Sequence, residues 1–348
     1  MKNDKNIPTN TVSRIKQLRK QELSENTLVD GIFNGNKAIL AQAITLLESA
    51  KQEHFEKSNV VIEKCLSKSN RSIRIGITGV PGVGKSTFIE VFGKILTKLG
   101  KKVAVLAVDP SSALSKGSIL GDKTRMESLS KDPKAFIRPS PSGESLGGVA
   151  RKTRESIILC EAAGYDVILV ETVGVGQSET VVHSMVDFFL LLKLSGAGDE
   201  LQGIKRGIME MADAIAINKA DGDNLKKAKR AETEFSRALH LYPPKANGWT
   251  PKVLTCSASE NEGILEIWKI IQDFIEVNRK NGHFEKNRKI QNKNWFLQAI
   301  DEQLKQFLSR KKSFQNEQEE ILKAVEANKI SPFYGAKTLL DKITKELK

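Results

Sequence analysis

The sequence is poor in cysteine, histidine and aromatic residues, and each scarcity removes a class of chemistry. Cys65, Cys160 and Cys256 are the only three cysteines in 348 residues. They are widely separated and form no metal-ligand spacing, and two of them lie in apolar surroundings and are most simply buried, reduced thiols. Four histidines form no cluster, so no histidine-rich metal-storage tract is present. No apolar run reaches the length of a membrane span, since Phe188–Leu192 is cut short by Lys193. The N-terminus mixes Lys, Asp and Asn, unlike a secretion signal or an acid-free transit peptide, so a cytoplasmic protein is expected. The net charge of +13 invites a nucleic-acid reading. However, the lysines are spread over helical segments and both termini with few aromatics interleaved, so the charge bears on solubility and partners instead. With 39% hydrophobic residues, the length allows one large α/β domain plus appendages.

What is present centres on Gly79-Val80-Pro81-Gly82-Val83-Gly84-Lys85-Ser86-Thr87. The alternation Ile73, Ile75, Ile77 before it reads as a strand, and Phe88–Leu96 after it reads as a helix. Strand, glycine-rich loop, Gly-Lys-Ser and helix form the context of a phosphate-binding loop. Such a loop wraps its backbone N–H groups around phosphate oxygens, and the helix N-terminus adds its dipole. Lys85 is placed to reach the outer phosphates and the Ser86 hydroxyl to ligate Mg²⁺.

The remaining chain arranges itself around that loop. Residues 1–70 read as helical, with Ile39, Ala43, Leu46 and Leu47 on one stripe and the first dozen residues disordered. Val103–Val108 is a buried parallel strand ending at Asp109. An acidic residue where a parallel strand leaves the sheet sits near the ligand crevice. Gly121–Met126, which includes Asp122, shows no periodicity and reads as a mobile loop. Ala135–Arg138 is a short strand, and a helix opens at Arg151 and ends near Gly164. The buried strand Tyr165–Val170 runs into Glu171-Thr172-Val173-Gly174, the form of a switch segment in which the Gly174 N–H meets a γ-phosphate. Phe188–Leu194 is another strand, and by composition the glycine-rich Gly196–Gly207 is a surface connection.

Ala214–Ile217 leads into Asn218-Lys219-Ala220-Asp221. A carboxylate such as Asp221 accepts from both N1–H and the 2-amino group of guanine, a pair that adenine does not offer. Its place after a strand and C-terminal to a phosphate loop makes the tetrad a guanine reader. The strand Pro251–Cys256 ends in Ser257-Ala258-Ser259, similar to the last base-contacting loop of GTP-binding proteins. Beyond Gly263 the pattern is helical, with Ile264, Ile267, Trp268, Ile271, Phe274 and Ile275 on one face. A charged stretch, Asn278–Lys293, then separates the core from amphipathic helices around Trp295–Leu308 and Gln315–Ala327, and a short helix follows Pro332. The expected domains are an N-terminal helical extension (1–68), a P-loop domain (69–280) and a C-terminal helical dimerisation region (281–348).

In order, the phosphate loop, Asp109–Ser112, Gly121–Met126, Glu171–Glu179 and Asn218–Asp221 closely resemble the G-protein chaperones of methylmalonyl-CoA mutase, the MeaB-type family. Older names for it are lysine/arginine/ornithine transport ATPases and arginine kinases. The resemblance implies an α/β P-loop NTPase fold akin to the signal-recognition and hydrogenase-maturation GTPases. A mostly parallel sheet would be flanked by helices, with helical extensions at both ends and a homodimer. It implies that the protein binds an adenosylcobalamin-dependent mutase, gates cofactor delivery, and protects or reactivates the enzyme. Carried over by motif, Ser86, Asp109, Asp122 and Glu171 become the Mg²⁺ shell. The loop Asp199–Gly207 becomes a third switch in which Gln202 and Lys205 communicate with the mutase or stimulate hydrolysis. Lys85 and Glu171, with those two, form the implied catalytic set.

The expected reaction is GTP + H₂O → GDP + phosphate, with a slow basal rate because no water-orienting glutamine is assignable; Gln177 lies too far along. Two other classes fit less well. A nickel-type metallochaperone GTPase would want a His tract or Cys pairs. A membrane-targeting or transport-linked NTPase would want a Met-rich amphipathic domain, and a kinase an acceptor-binding feature.

Overall fold

The strands are continuous apolar runs because both faces of the sheet are covered. The computed structural model describes residues 23–49, 51–69, 71–108, 126–139, 146–172, 178–196 and 206–346. Within them, β1 (Ile73–Gly79), β2 (Val103–Val108), β3 (Ala135–Arg138), β4 (Val167–Thr172), β5 (Phe188–Leu194), β6 (Ala214–Asn218) and β7 (Lys252–Thr255) make one sheet in the order β3-β2-β4-β1-β5-β6-β7. Every pairing is parallel. The helices are α1 (Glu25–Phe33), α2 (Lys37–Glu48), α3 (Gln52–Cys65), α4 (Lys85–Lys98), α5 (Glu127–Ser130), α6 (Leu146–Ala162), α7 (Ser178–His183), α8 (Arg206–Met211), α9 (Leu225–Leu239), α10 (Ile264–Lys280), α11 (His283–Arg310), α12 (Lys312–Glu326) and α13 (Pro332–Glu346).

The two-residue period of a strand sorts each run onto two cores. Phe188, Leu190 and Leu192 of β5, with Ala214 and Ala216 of β6, join Phe88 and Phe92 of α4 and Trp268 and Phe274 of α10. Leu191, Ile215 and Ile217 point the other way, onto Ala228, Ala231 and Phe235 of α9. In the first core Phe188 meets Phe274 edge-on at 5.0 Å and Trp249 meets Phe274 at 5.2 Å. Such aromatic pairs add about 0.5–1.5 kcal/mol each beyond the area they bury.

Register brings the functional ends of the strands to one edge. Ile77 lies opposite Glu171, Gly79 opposite Leu192, Leu194 opposite Asn218 and Ile217 opposite Thr255. β1 sits where the strand order reverses, with β4 and β2 on one side and β5 to β7 on the other. In open α/β sheets that reversal, at the C-terminal ends of the strands, opens the ligand crevice.

The N-terminal helices pack with α6. α2 buries Leu40, Ala43, Ile44 and Leu47, whereas Ile39 and Leu46 of the expected stripe are half-buried. α2 is covered by α1, α3 and α6 together, so the face it buries is turned and widened from a single stripe. α6 is tied to the sheet by a buried ion pair: Arg74 Nε and Nη2 donate to the two oxygens of Glu161 at 2.9 and 3.0 Å. Ser72 Oγ adds a 2.6 Å bond to the same carboxylate. Two charges removed from water are tolerated here because the geometry is bidentate and the carboxylate takes a third bond.

Three expected boundaries are corrected. The helix expected from Arg151 starts at Leu146. The charged stretch Asn278–Lys293 is not a spacer. α10 runs to Lys280, Gly282 at φ 72 makes the break, and α11 runs unbroken from His283 for 28 residues. Its Lys, Arg, Glu and Gln are good helix formers, so charge alone does not interrupt it. The helix after Pro332 has 15 residues and is not short. Expectations on residues 1–22, 109–125, 173–177 and 197–205 lie outside the described residues.

The chain divides into two compact units, Met1–Asn287 and Arg288–Lys348. In the second, α12 and α13 pack together, with Gly335 close against Ile321 and Val325 and an ion pair between Lys342 and Glu317. Among the described residues no helix is long and apolar enough to cross a membrane.

Candidate nucleotide site

The phosphate loop joins β1 to α4, and two of its glycines are forced. A Cβ on Gly79 would lie 2.6 Å from the Leu192 carbonyl oxygen of the neighbouring strand. Gly84 has φ 94, and a Cβ there would lie 2.7 Å from Asn218 Nδ2. Backbone therefore passes directly against the guanine tetrad, as only glycine permits. Lys85, 9% exposed, donates from Nζ to the Gly79 carbonyl at 2.8 Å and to Val80 at 3.3 Å. Burial pushes its ammonium below the ordinary lysine range, and the charges of Glu171 and Glu179 pull it partway back.

Two oxygen donors converge beside it. Ser86, in the first turn of α4, donates from Oγ to Oε1 of Glu171 at 3.4 Å. Glu171 is buried near the end of β4. The next residue, Thr172, donates from Oγ1 to Thr78 Oγ1 at 2.9 Å, both buried, clamping β4 to β1 beside the loop. Glu179, in the first turn of α7, is buried, and its Oε2 has no hydrogen-bond partner among the described residues. A hydroxyl and a carboxylate are hard donors of the kind Mg²⁺ takes. Among the described residues no group of three His, Cys, Asp or Glu side chains is set to hold a metal; Asp109 and Asp122 lie outside them.

Across the loop, Asn218 joins three segments. Its Nδ2 donates to the Val83 carbonyl at 2.8 Å, and its Oδ1 accepts from the Ala258 N–H at 3.2 Å and from Cys256 Sγ at 3.6 Å. The Asp221 carboxylate accepts from the hydroxyl of Ser257 and, at 3.2 Å, from that of Ser259. Lys219 stands at φ 59 with its side chain by the phosphate loop. Phosphate grip and base edge are thus one continuous hydrogen-bonded surface.

The family model described as Methylmalonyl Co-A mutase-associated GTPase MeaB matches residues 40–313. The chain belongs to the MeaB family. It is 47% identical over 320 residues to GTPase ArgK of Escherichia coli (strain K12), covering 91% of this chain and 97% of that protein. It is 44% identical over 331 residues to the mouse (Mus musculus) protein called methylmalonic aciduria type A homolog, mitochondrial, covering 92% and 80%. The solved structure of a LAO/AO transport system kinase is 40% identical, covers 93% of this chain and 100% of its own, and has a TM-score of 0.73. The fold is that of a P-loop GTPase, and this MeaB-family chain binds guanine nucleotide and hydrolyses GTP.

Of the residues nominated from sequence, the structure brings Gly79–Thr87, Glu171, Asn218, Lys219, Asp221 and Ser257–Ser259 together along one sheet edge. Gly174, Gln202 and Lys205 lie outside the described residues, with Asp109 and Asp122. The linear pattern does not mark the Thr78–Thr172 clamp or Glu179 as a charge on Lys85. Glu179 sits eight residues beyond Glu171 on the same switch-like run, which was the available signal for it.

Proposed function

We propose that this MeaB-family GTPase is the G-protein chaperone of an adenosylcobalamin-dependent acyl-CoA mutase, methylmalonyl-CoA mutase first among the candidates. In this role it gates cofactor loading and protects or reactivates its client. The observation that carries the reading is the family match over residues 40–313; the name of the mouse relative supports it.

In this reading the Gly79–Thr87 backbone and Lys85 hold the phosphates, and Lys85 stabilises charge on the transferring group. Asn218, Lys219, Asp221 and Ser257–Ser259 hold guanine, with Asp221 taking N1–H and the 2-amino group. Ser86 and Glu171 fit Mg²⁺, and Asp109 and Asp122 complete the proposed set; the ion would neutralise phosphate charge. Gly174 reads the γ-phosphate, while Gln202 and Lys205 carry the nucleotide state to the client. Basal turnover is slow until the client completes the site. Residues 1–68 and 281–348 are proposed as helical extensions of a 69–280 nucleotide domain, the C-terminal one as a dimerisation region. The cytoplasm is the proposed location, in keeping with three free, buried cysteines.

Switching requires unequal client affinity for the GTP and GDP states. Immobilised protein loaded with GDP or a non-hydrolysable GTP analogue is expected to retain purified mutase to different extents. Equal retention in both states, or none, overturns the proposal.

A further inference from the structure

We infer that Asn224 is a positioning residue of the guanine site and that Ser195 fixes its orientation; the inference rests on the guanine reading of Asn218–Asp221. Lys219 adopts φ 59, a left-handed conformation that a residue with a Cβ keeps only where its surroundings over-determine it. Two bonds do so here. Asn224 Nδ2 donates to the Lys219 carbonyl at 2.6 Å, and the following N–H, of Ala220, donates to the Cys256 carbonyl at 3.0 Å. The backbone N–H of Asn224 also donates to the Asp221 carbonyl at 3.0 Å. One residue therefore grips the tetrad at both Lys219 and Asp221, the residue whose carboxylate meets the base.

The side-chain amide is itself held. Ser195 Oγ donates to Asn224 Oδ1 at 2.6 Å. A carbonyl only accepts, so Nδ2 must face Lys219 and Oδ1 must face the hydroxyl. Ser195 directly follows β5, which is paired to β6 with Leu194 opposite Asn218. Sheet registry thus delivers the hydroxyl to the tetrad from a residue 29 positions away. Without Asn224, Lys219 can relax out of the left-handed region, and the Asp221 carboxylate loses its fixed approach to two adjacent N–H groups. The cost falls on recognition of the base, and most on the 2-amino contact.

Hypoxanthine lacks that amino group, so GDP against IDP isolates the contact. In the full-length protein, Asn224→Ala is expected to weaken GDP binding about three- to tenfold, the scale of one lost hydrogen bond. The GDP-over-IDP preference should shrink at least threefold, and KM for GTP should rise with kcat within twofold. Asn224→Asp, which keeps the shape but loses the donor, should behave alike. Ser195→Ala should give a smaller loss in the same direction and add nothing in the Asn224→Ala background. Unchanged GDP affinity in Asn224→Ala, equal losses for GDP and IDP, or a fall in kcat at constant KM overturns the inference. Should Asn224→Ala not fold, Ser195→Ala decides: a wild-type GDP-to-IDP ratio in it also overturns the inference. Failure of the underlying guanine reading shows separately, as a wild-type protein that does not prefer GDP to ADP.

Discussion

Lys85 keeps a charge where charge is costly. At 9% exposure burial lowers its pKa, while Glu171 and Glu179 favour the ammonium and the Gly79 and Val80 carbonyls accept its hydrogen bonds. A preorganised cation of this kind is worth most where negative charge develops in a water-poor site. Lys85→Ala should lower GTP turnover by about 10²–10³-fold while the fold persists, read by phosphate release and thermal melting. Wild-type turnover would show that the loop is not the site. Glu171 and Asn218 are legible in the sequence because each directly follows an apolar run, and Lys85, Ser86 and Asp221 because each holds a fixed place in a short motif that begins where such a run ends. Asn224 and Ser195 are not. Both residue types are common in turns, and their meaning arises only when parallel pairing brings positions 195 and 224 together.

At the level of elements, α6 carries its buried groups side by side. Glu161 is ion-paired to Arg74, and burial, reinforced by the Glu161 charge, pushes the adjacent Cys160 thiol far up. Cys65 is pushed up to about 11 and Cys256 to about 12 by burial. An unfolded thiol titrates near 8.5, so above that pH the unfolded chain has lost protons that the fold retains. Stability from these thiols is therefore fully present below about pH 8.5 and falls as the pH rises toward the folded values. Urea unfolding at pH 7.5 and 9.5 should show a stability drop smaller by roughly 1 kcal/mol in Cys160→Ala than in wild type. An equal drop in both would place Cys160 in contact with water. The sequence marks two of the three cysteines as buried through their apolar neighbours, and in the fold all three are. It fails at α2, where three covering helices turn the buried face from Ile39 and Leu46 to Leu40 and Ile44. It fails also at α11, where charge reads as a break but only Gly282 breaks the helix. At α2 tertiary partners, absent from the local pattern, decide the outcome; at α11 it is decided by the helix propensity of the charged residues themselves.

For the whole molecule the open question is what the second unit does with its apolar surface. Along α11, Ile290, Leu297, Ile300, Leu304 and Phe307 are each 46–54% exposed. Their spacing from Leu297 onward alternates three and four residues, the seam of a coiled coil, with Ile290 one heptad earlier. A helix of 28 residues with such a seam gains most by packing against another helix, since isolated helices draw little stability from propensity alone. The proposed dimerisation through residues 281–348 supplies that partner in a second copy. Light scattering at micromolar concentration is then expected to give twice the 38.5 kDa chain mass. The pair Leu297→Glu and Leu304→Glu puts like charges into the seam and should give a monomer whose GTP turnover stays within about twofold, since the phosphate loop and Asn218–Asp221 belong to the other unit. A monomeric wild type, or a dimer that survives both substitutions, would mean that the seam is covered by something other than a second copy of the chain.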